Sequence, residues 1–106
     1  MLLKLTTPIK DATGAELTEI ELKEPTPELL EKLNYPYVFD SDLNMLFNAK
    51  KVYAWAVALS DLPPSTIKKI SFTDMERFKM GLGVFFVGSK EQASEIWNKS
   101  QAGFTA

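Results

Sequence analysis

The chain has 106 residues, the length of one ordinary domain, and its 45% hydrophobic content suits a packed core and excludes a disordered chain. Twelve basic residues against fourteen acidic ones leave a net charge of −2, which gives no electrostatic footprint for nucleic acid. Cysteine and histidine are both absent, so disulfides, zinc–thiolate sites and histidine acid–base chemistry are excluded.

In chain order, Leu3, Leu5 and Thr7 alternate with Lys4 and Thr6, and Ile20 and Leu22 alternate with Glu19 and Glu21. Lys10–Gly14 between them supplies turn chemistry, which predicts a β-hairpin with strands near 2–9 and 16–23. A lone hairpin is marginal in water, so this one must pack on helices, pair with another chain, or both. Thr26 as N-cap and Pro27 at the first helical position predict a short helix near 27–33, with Leu29, Leu30 and Leu33 on its apolar face. Asn34-Tyr35-Pro36-Tyr37 breaks it. Tyr35 and Tyr37 then stand in a loop, to cover a core edge or to meet a partner.

Asp40 or Ser41 is the expected cap of a central helix near 42–61, apolar almost all round in its second half and stopped by Pro63-Pro64. A brief helical turn follows from Pro64 to Lys69. Ser71, with Asp74 three residues on and Ile70 and Met75 as a hydrophobic staple, marks the next helix start. That helix carries Met75, Phe78, Leu82, Phe85 and Phe86. Gly81 and Gly83 inside it point to close helix packing or a kink, and 81–87 has a strand-like alternative on its Val and Phe content. Gly88-Ser89 closes the element. Ala93, Ile96 and Trp97 give the apolar face of a last helix near 90–101, and 102–106 is expected to fray. The fold class read from this is α+β, a single domain over 1–106: an N-terminal β-hairpin (about 2–23) and a mostly helical bundle of four to five helices (about 27–101).

Little here suggests catalysis. Asp40, Asp42, Asp61 and Asp74 fall near predicted helix ends, where capping or solvation explains them far better than metal or acid–base work does. No histidine serves a nucleophilic serine, and Gly81-Leu82-Gly83 lacks the further residues of a phosphate-binding loop. No enzyme activity, no cofactor and no metal are therefore expected. The longest apolar run, Val52–Leu59, is eight residues, against roughly 20 to span a bilayer. The N-terminal segment does not read as a signal peptide, so no membrane association and a cytoplasmic location are expected. The candidate partner-binding residues are Tyr35, Tyr37, Met75, Phe78, Leu82, Phe85, Phe86 and Trp97, the same residue types that build a core or a helix-accepting groove.

Three segments in order carry a family resemblance: Leu3-x-Leu5-x-x-Pro8-Ile9 with Gly14 and Leu17–Pro25; Ala58-Leu59-Ser60-Asp61-Leu62-Pro63-Pro64-Ser65; and Asp74 followed by Phe85-Phe86. Together they resemble the tail assembly chaperones of contractile, Mu-like bacteriophages and prophages, over roughly residues 3–87. Tyr35–Phe39 is more aromatic than that pattern. The resemblance implies a non-enzymatic protein of the bacterial host cytoplasm, absent from the mature virion. It would bind the tape measure protein and keep it soluble while tail tube subunits polymerise. It carries over no catalytic or ligand-binding residue. Self-association through the free hairpin edge is a further expectation. The rival readings are a small structural subunit of the tail or connector, and a carboxylate-dependent metal enzyme using Asp40 or Asp42.

Overall fold

The first hairpin forms where the alternation predicts it. In the computed structural model, which describes residues 1–87, β1 (Leu2–Lys10) pairs antiparallel with β2 (Glu16–Glu21). Leu3, Ile9, Ile20 and Leu22 point into the core. The register breaks in the middle of β1: Lys4 faces Glu19, but the next partners are Ile9 and Leu17. Residues 5–8 therefore bulge away from β2, with Pro8, which has no N–H to pair, among them.

α1 (Pro27–Leu33) is built as expected, with the Thr26 hydroxyl accepting from the N–H of Leu29 at 3.2 Å. It stops at Asn34, whose φ of 61° and ψ of 174° lie in a region otherwise left to glycine. The Asn34 carbonyl accepts the indole N–H of Trp55 at 2.9 Å, which ties this strained corner to the core.

The long helix expected over 42–61 is shorter, and its first part is a second hairpin. β3 (Tyr37–Phe39) pairs antiparallel with β4 (Met45–Phe47), Tyr37 opposite Phe47 and Phe39 opposite Met45. Aromatic and branched side chains on both sides of a turn-forming Asp40–Asn44 favour strand over helix here. Tyr37 is thus a buried strand residue rather than a loop residue. Neither Asp40 nor Ser41 caps the next helix. α2 (Ala49–Ser60) begins after Asn48, whose side-chain oxygen accepts from the N–H of Lys51 at 3.1 Å.

α2 buries Val52, Trp55, Ala56 and Leu59, one stripe at helical spacing. The expectation of burial all round does not hold: Tyr53 is exposed, and Ala54, Val57 and Ala58 are half-buried. The helix ends at Asp61 in the left-handed region, before Pro63-Pro64 as expected, and α3 (Pro64–Ile67) is the predicted short turn. α4 (Phe72–Val87) starts at Ser71, whose hydroxyl accepts from the N–H of Asp74 at 3.2 Å. It stays helical through both glycines, so the strand alternative for 81–87 is not adopted. Met75, Phe78 and Leu82 project from it into the core, and α4 lies against β1.

The result is a small α+β fold, an N-terminal antiparallel hairpin with four helices among the described residues. The last helix predicted near 90–101, with Trp97, lies outside those residues.

Candidate protein interface

The buried charge is concentrated in one place. Asp74 and Arg77 sit one helical turn apart on α4, both fully buried, with Arg77 Nη1 3.0 Å from Asp74 Oδ1. The β1 bulge turns the N–H groups of Thr6 and Thr7 away from β2 and onto this carboxylate. Thr6 N–H donates at 3.1 and 3.0 Å to the two oxygens, Thr6 Oγ1 at 2.9 Å, and Thr7 N–H at 3.3 Å. Arg77 Nη1 also donates to the Lys4 carbonyl at 2.8 Å. Burial pushes the Asp74 carboxyl up. The hydrogen bonds from Thr6, Thr7 and Ser71 more than offset that and hold it below its ordinary value. A carboxylate with four donors has its lone pairs occupied. The pair therefore reads as a clasp between β1 and α4, not as an acid–base group. Asp74 keeps its expected place in the Ser71 helix start, and the solvated alternative is corrected: the carboxylate is fully buried.

Asp11 and Asp40 hold the two hairpin turns. Asp11 Oδ1 accepts from the N–H groups of Thr13 and Ala15 at 2.8 and 3.0 Å, and Asp40 Oδ1 accepts from those of Asp42 and Asn44 at 2.9 and 2.8 Å. The Thr13 hydroxyl bond chiefly lowers the Asp11 pKa, and the Asn44 backbone bond chiefly lowers that of Asp40. Asp61 caps α2 and meets Lys23 at 2.9 Å in the open. Among the described residues no group of three or more Asp or Glu is placed to hold a metal ion.

The two hairpin loops share one backbone hydrogen-bond pattern and place different residues at its left-handed position. In each, the aspartate carbonyl accepts from the N–H three residues on, and its own N–H donates to the carbonyl four residues on. In the first loop the residue at positive φ is Gly14, at +86°; in the second it is Leu43, at 63°. A branched side chain in the left-handed region costs roughly 1–2 kcal/mol. The Leu43 side chain gains no burial in return, being 79% exposed at the hairpin tip.

Around this tip the surface is apolar. Val38, Phe39 and Leu46 are more than half or half exposed, as are Tyr35 and Met80, and Phe72 is 80% exposed at the start of α4. Three shallow grooves follow one another. One of about 190 Å³ lies beside the hairpin, between Tyr35, Val38, Leu46 and Phe47. The next, about 170 Å³, runs between Phe47, Tyr53, Phe72 and Met75, rimmed by Glu76 and Lys79. The third, about 450 Å³, lies between α2 and α3, floored by Leu33, Val57, Ala58 and Ile67, with Lys50 and Lys68 at its edge. Phe47 is common to the first two and Tyr53 to the last two, so the grooves form one continuous band. Lys79 pairs with Glu76 at 2.6 Å and lies 5.3 Å over the Phe47 ring.

The predicted partner residues divide into two groups. Tyr35, Tyr37 and Phe86 come together, with ring centroids 5.6–5.9 Å apart, and Phe86 also meets Trp55 at 5.2 Å. This cluster fastens the second hairpin to α2 and α4. Burial, then the neighbouring Tyr35, pushes the Tyr37 hydroxyl pKa up. Met75, Phe78 and Leu82 are core, Phe85 is half-buried against it, and Trp97 lies outside the described residues. Val38, Phe39, Leu43, Leu46, Tyr53 and Phe72, all exposed, were not singled out from sequence. The usable signal was the repeated Asp-x-x-x-(Ala/Asn) spacing of Asp11–Ala15 and Asp40–Asn44, which marks a second turn where a helix was expected. No family model, curated protein or solved structure matches the chain, so its function has to be argued from this apolar band and from the sequence.

Proposed function

We propose that this protein is a non-enzymatic tail assembly chaperone of a contractile, Mu-like phage or prophage, which binds the tape measure protein and keeps it soluble while the tail tube is built. The observation that carries the reading is the continuous apolar band centred on Phe47 and Tyr53, open to solvent and rimmed by single charges. Exposed apolar surface of this extent marks an interaction site. A groove flanked by aromatic side chains suits the apolar face of a client helix. Of the aspartates an enzyme reading would draw on, Asp40 is engaged in a turn, Asp61 in a helix cap and Asp74 in the clasp. The four described helices, with the one expected over 90–101, would complete a bundle of four to five. The protein would act in the host cytoplasm, hand its client to tail tube protein, and stay out of the virion. Two-stranded pairing of β1 and β2 leaves strand edges that no other described strand covers, which supports strand addition between copies.

Co-expression with the tape measure protein tests this. The client is expected to be insoluble alone, and soluble and co-eluting with the chaperone. A client that stays insoluble, with the small protein recovered instead in purified tails, would assign it as a structural subunit of the tail or connector.

A further inference from the structure

We infer that the tip of the second hairpin is an anchor for a second copy of this chain, inserting Leu43 into the partner's α2–α3 groove. The inference goes beyond the client reading and does not depend on it. Three observations carry it. First, Leu43 occupies a left-handed backbone position that the matching loop gives to Gly14, and its side chain is exposed. A strained backbone that holds an apolar side chain in water points to a role for that side chain outside its own fold. Second, the groove between Leu33, Val57, Ala58 and Ile67 is apolar and, at about 450 Å³, roomy enough for a branched side chain and its neighbours. Leu43 does not fill it within the same chain. Third, the charges match. Asp40 and Asp42 are the charged residues of 37–47, and Lys50 and Lys68 are those lining the groove. An apolar knob on an acidic turn thus suits an apolar groove whose lining includes two lysines.

Tip and groove share no residue, so each copy can give one and accept another. Such a contact is heterologous, and repeats into a ring or an open filament according to its rotation. Each contact is small and individually weak. Copies aligned on one long client would gain by avidity.

Sedimentation velocity and light scattering across a concentration series test the contact on the full chain without any client. Mass is expected to rise with concentration. Leu43→Gly should require roughly tenfold more protein for the same association, as loss of a buried anchor implies. Because glycine suits this backbone, a folded but dissociated variant cannot be ascribed to misfolding. Asp42→Lys and Lys68→Glu should each weaken association alone. Mixing the two, or combining them in one chain, should restore it. A strict monomer at high concentration overturns the proposal. So does association that Leu43→Gly leaves unchanged, which would point to the β1–β2 edge, and so does a mixture that fails to recover. Groove variants without effect overturn it as well, since the groove would then hold something else, residues 88–106 of the same chain included.

Discussion

Asp74 does for β1 what a neighbouring strand would do: it accepts the N–H groups that the bulge releases. Arg77 neutralises it and secures the Lys4 carbonyl. Breaking such a pair from one side leaves a buried charge, so Asp74→Ala is expected to cost about 3–5 kcal/mol in equilibrium denaturation. Asp74→Leu combined with Arg77→Met should cost less than either single change. The same residue sets a pH dependence. The folded carboxyl titrates below its ordinary value of 3.8, so its contribution is complete above that value and is lost as pH falls through the folded one. Urea midpoints measured down to pH 2.5 should fall more steeply in the wild type than in Asp74→Asn. Leu43 gives the opposite sign. Leu43→Gly relieves the left-handed strain but loosens the unfolded chain, for a net gain of roughly 0.5–1 kcal/mol. A loss on denaturation would show that the tip side chain packs within its own fold. Ser71 as cap was legible in the sequence because capping is local. The clasp was not, because Thr6 and Asp74 are 68 residues apart and nothing in the pattern announces the bulge.

At the scale of elements, the second hairpin is held to the helices by aromatic rings and one close approach. A Cβ built on Gly83 would stand 2.9 Å from Phe47 Cζ and 3.4 Å from Met45 Sδ, so β4 packs where α4 has no side chain. Gly83→Val should lever the hairpin off α4 and cost about 1–3 kcal/mol, read as a lower denaturation midpoint. An unchanged midpoint would mean that the Phe47 ring swings aside freely. The glycines within α4 point in sequence to close helix packing or a kink; at Gly83 the close approach is real but is to β4 rather than to another helix. The first hairpin, α1, α3 and the limits of α4 near Ser71 were all legible, because turn residues, prolines and caps act within a few positions. The second hairpin was hidden by its composition. Leu43, Leu46 and Phe47 also fit a helical face, and three-residue strands are too short to display a period of two.

At the scale of the molecule, self-association through the tip would take up the α2–α3 end of the band and leave the grooves around Phe47 and Phe72 to the client. Phe72 is exposed and far from the tip in sequence, so its replacement should leave stability within about 0.5 kcal/mol. Phe72→Ser is expected to reduce soluble tape measure protein severalfold on co-expression while the sedimentation profile of the free protein stays as it was. A variant that loses both together would merge the two surfaces into one.

The clasp also sets an order of events during synthesis. Residues 1–23 leave the ribosome well before Asp74 and can pair early. Their bulged N–H groups then have no acceptor until Asp74 emerges, more than sixty residues later. At roughly 5–20 residues per second that interval lasts several seconds. During it the nascent hairpin offers open hydrogen-bond donors to any strand nearby, including one on a neighbouring ribosome translating the same message. The first turn of α4 thus closes a strand made more than sixty residues before it.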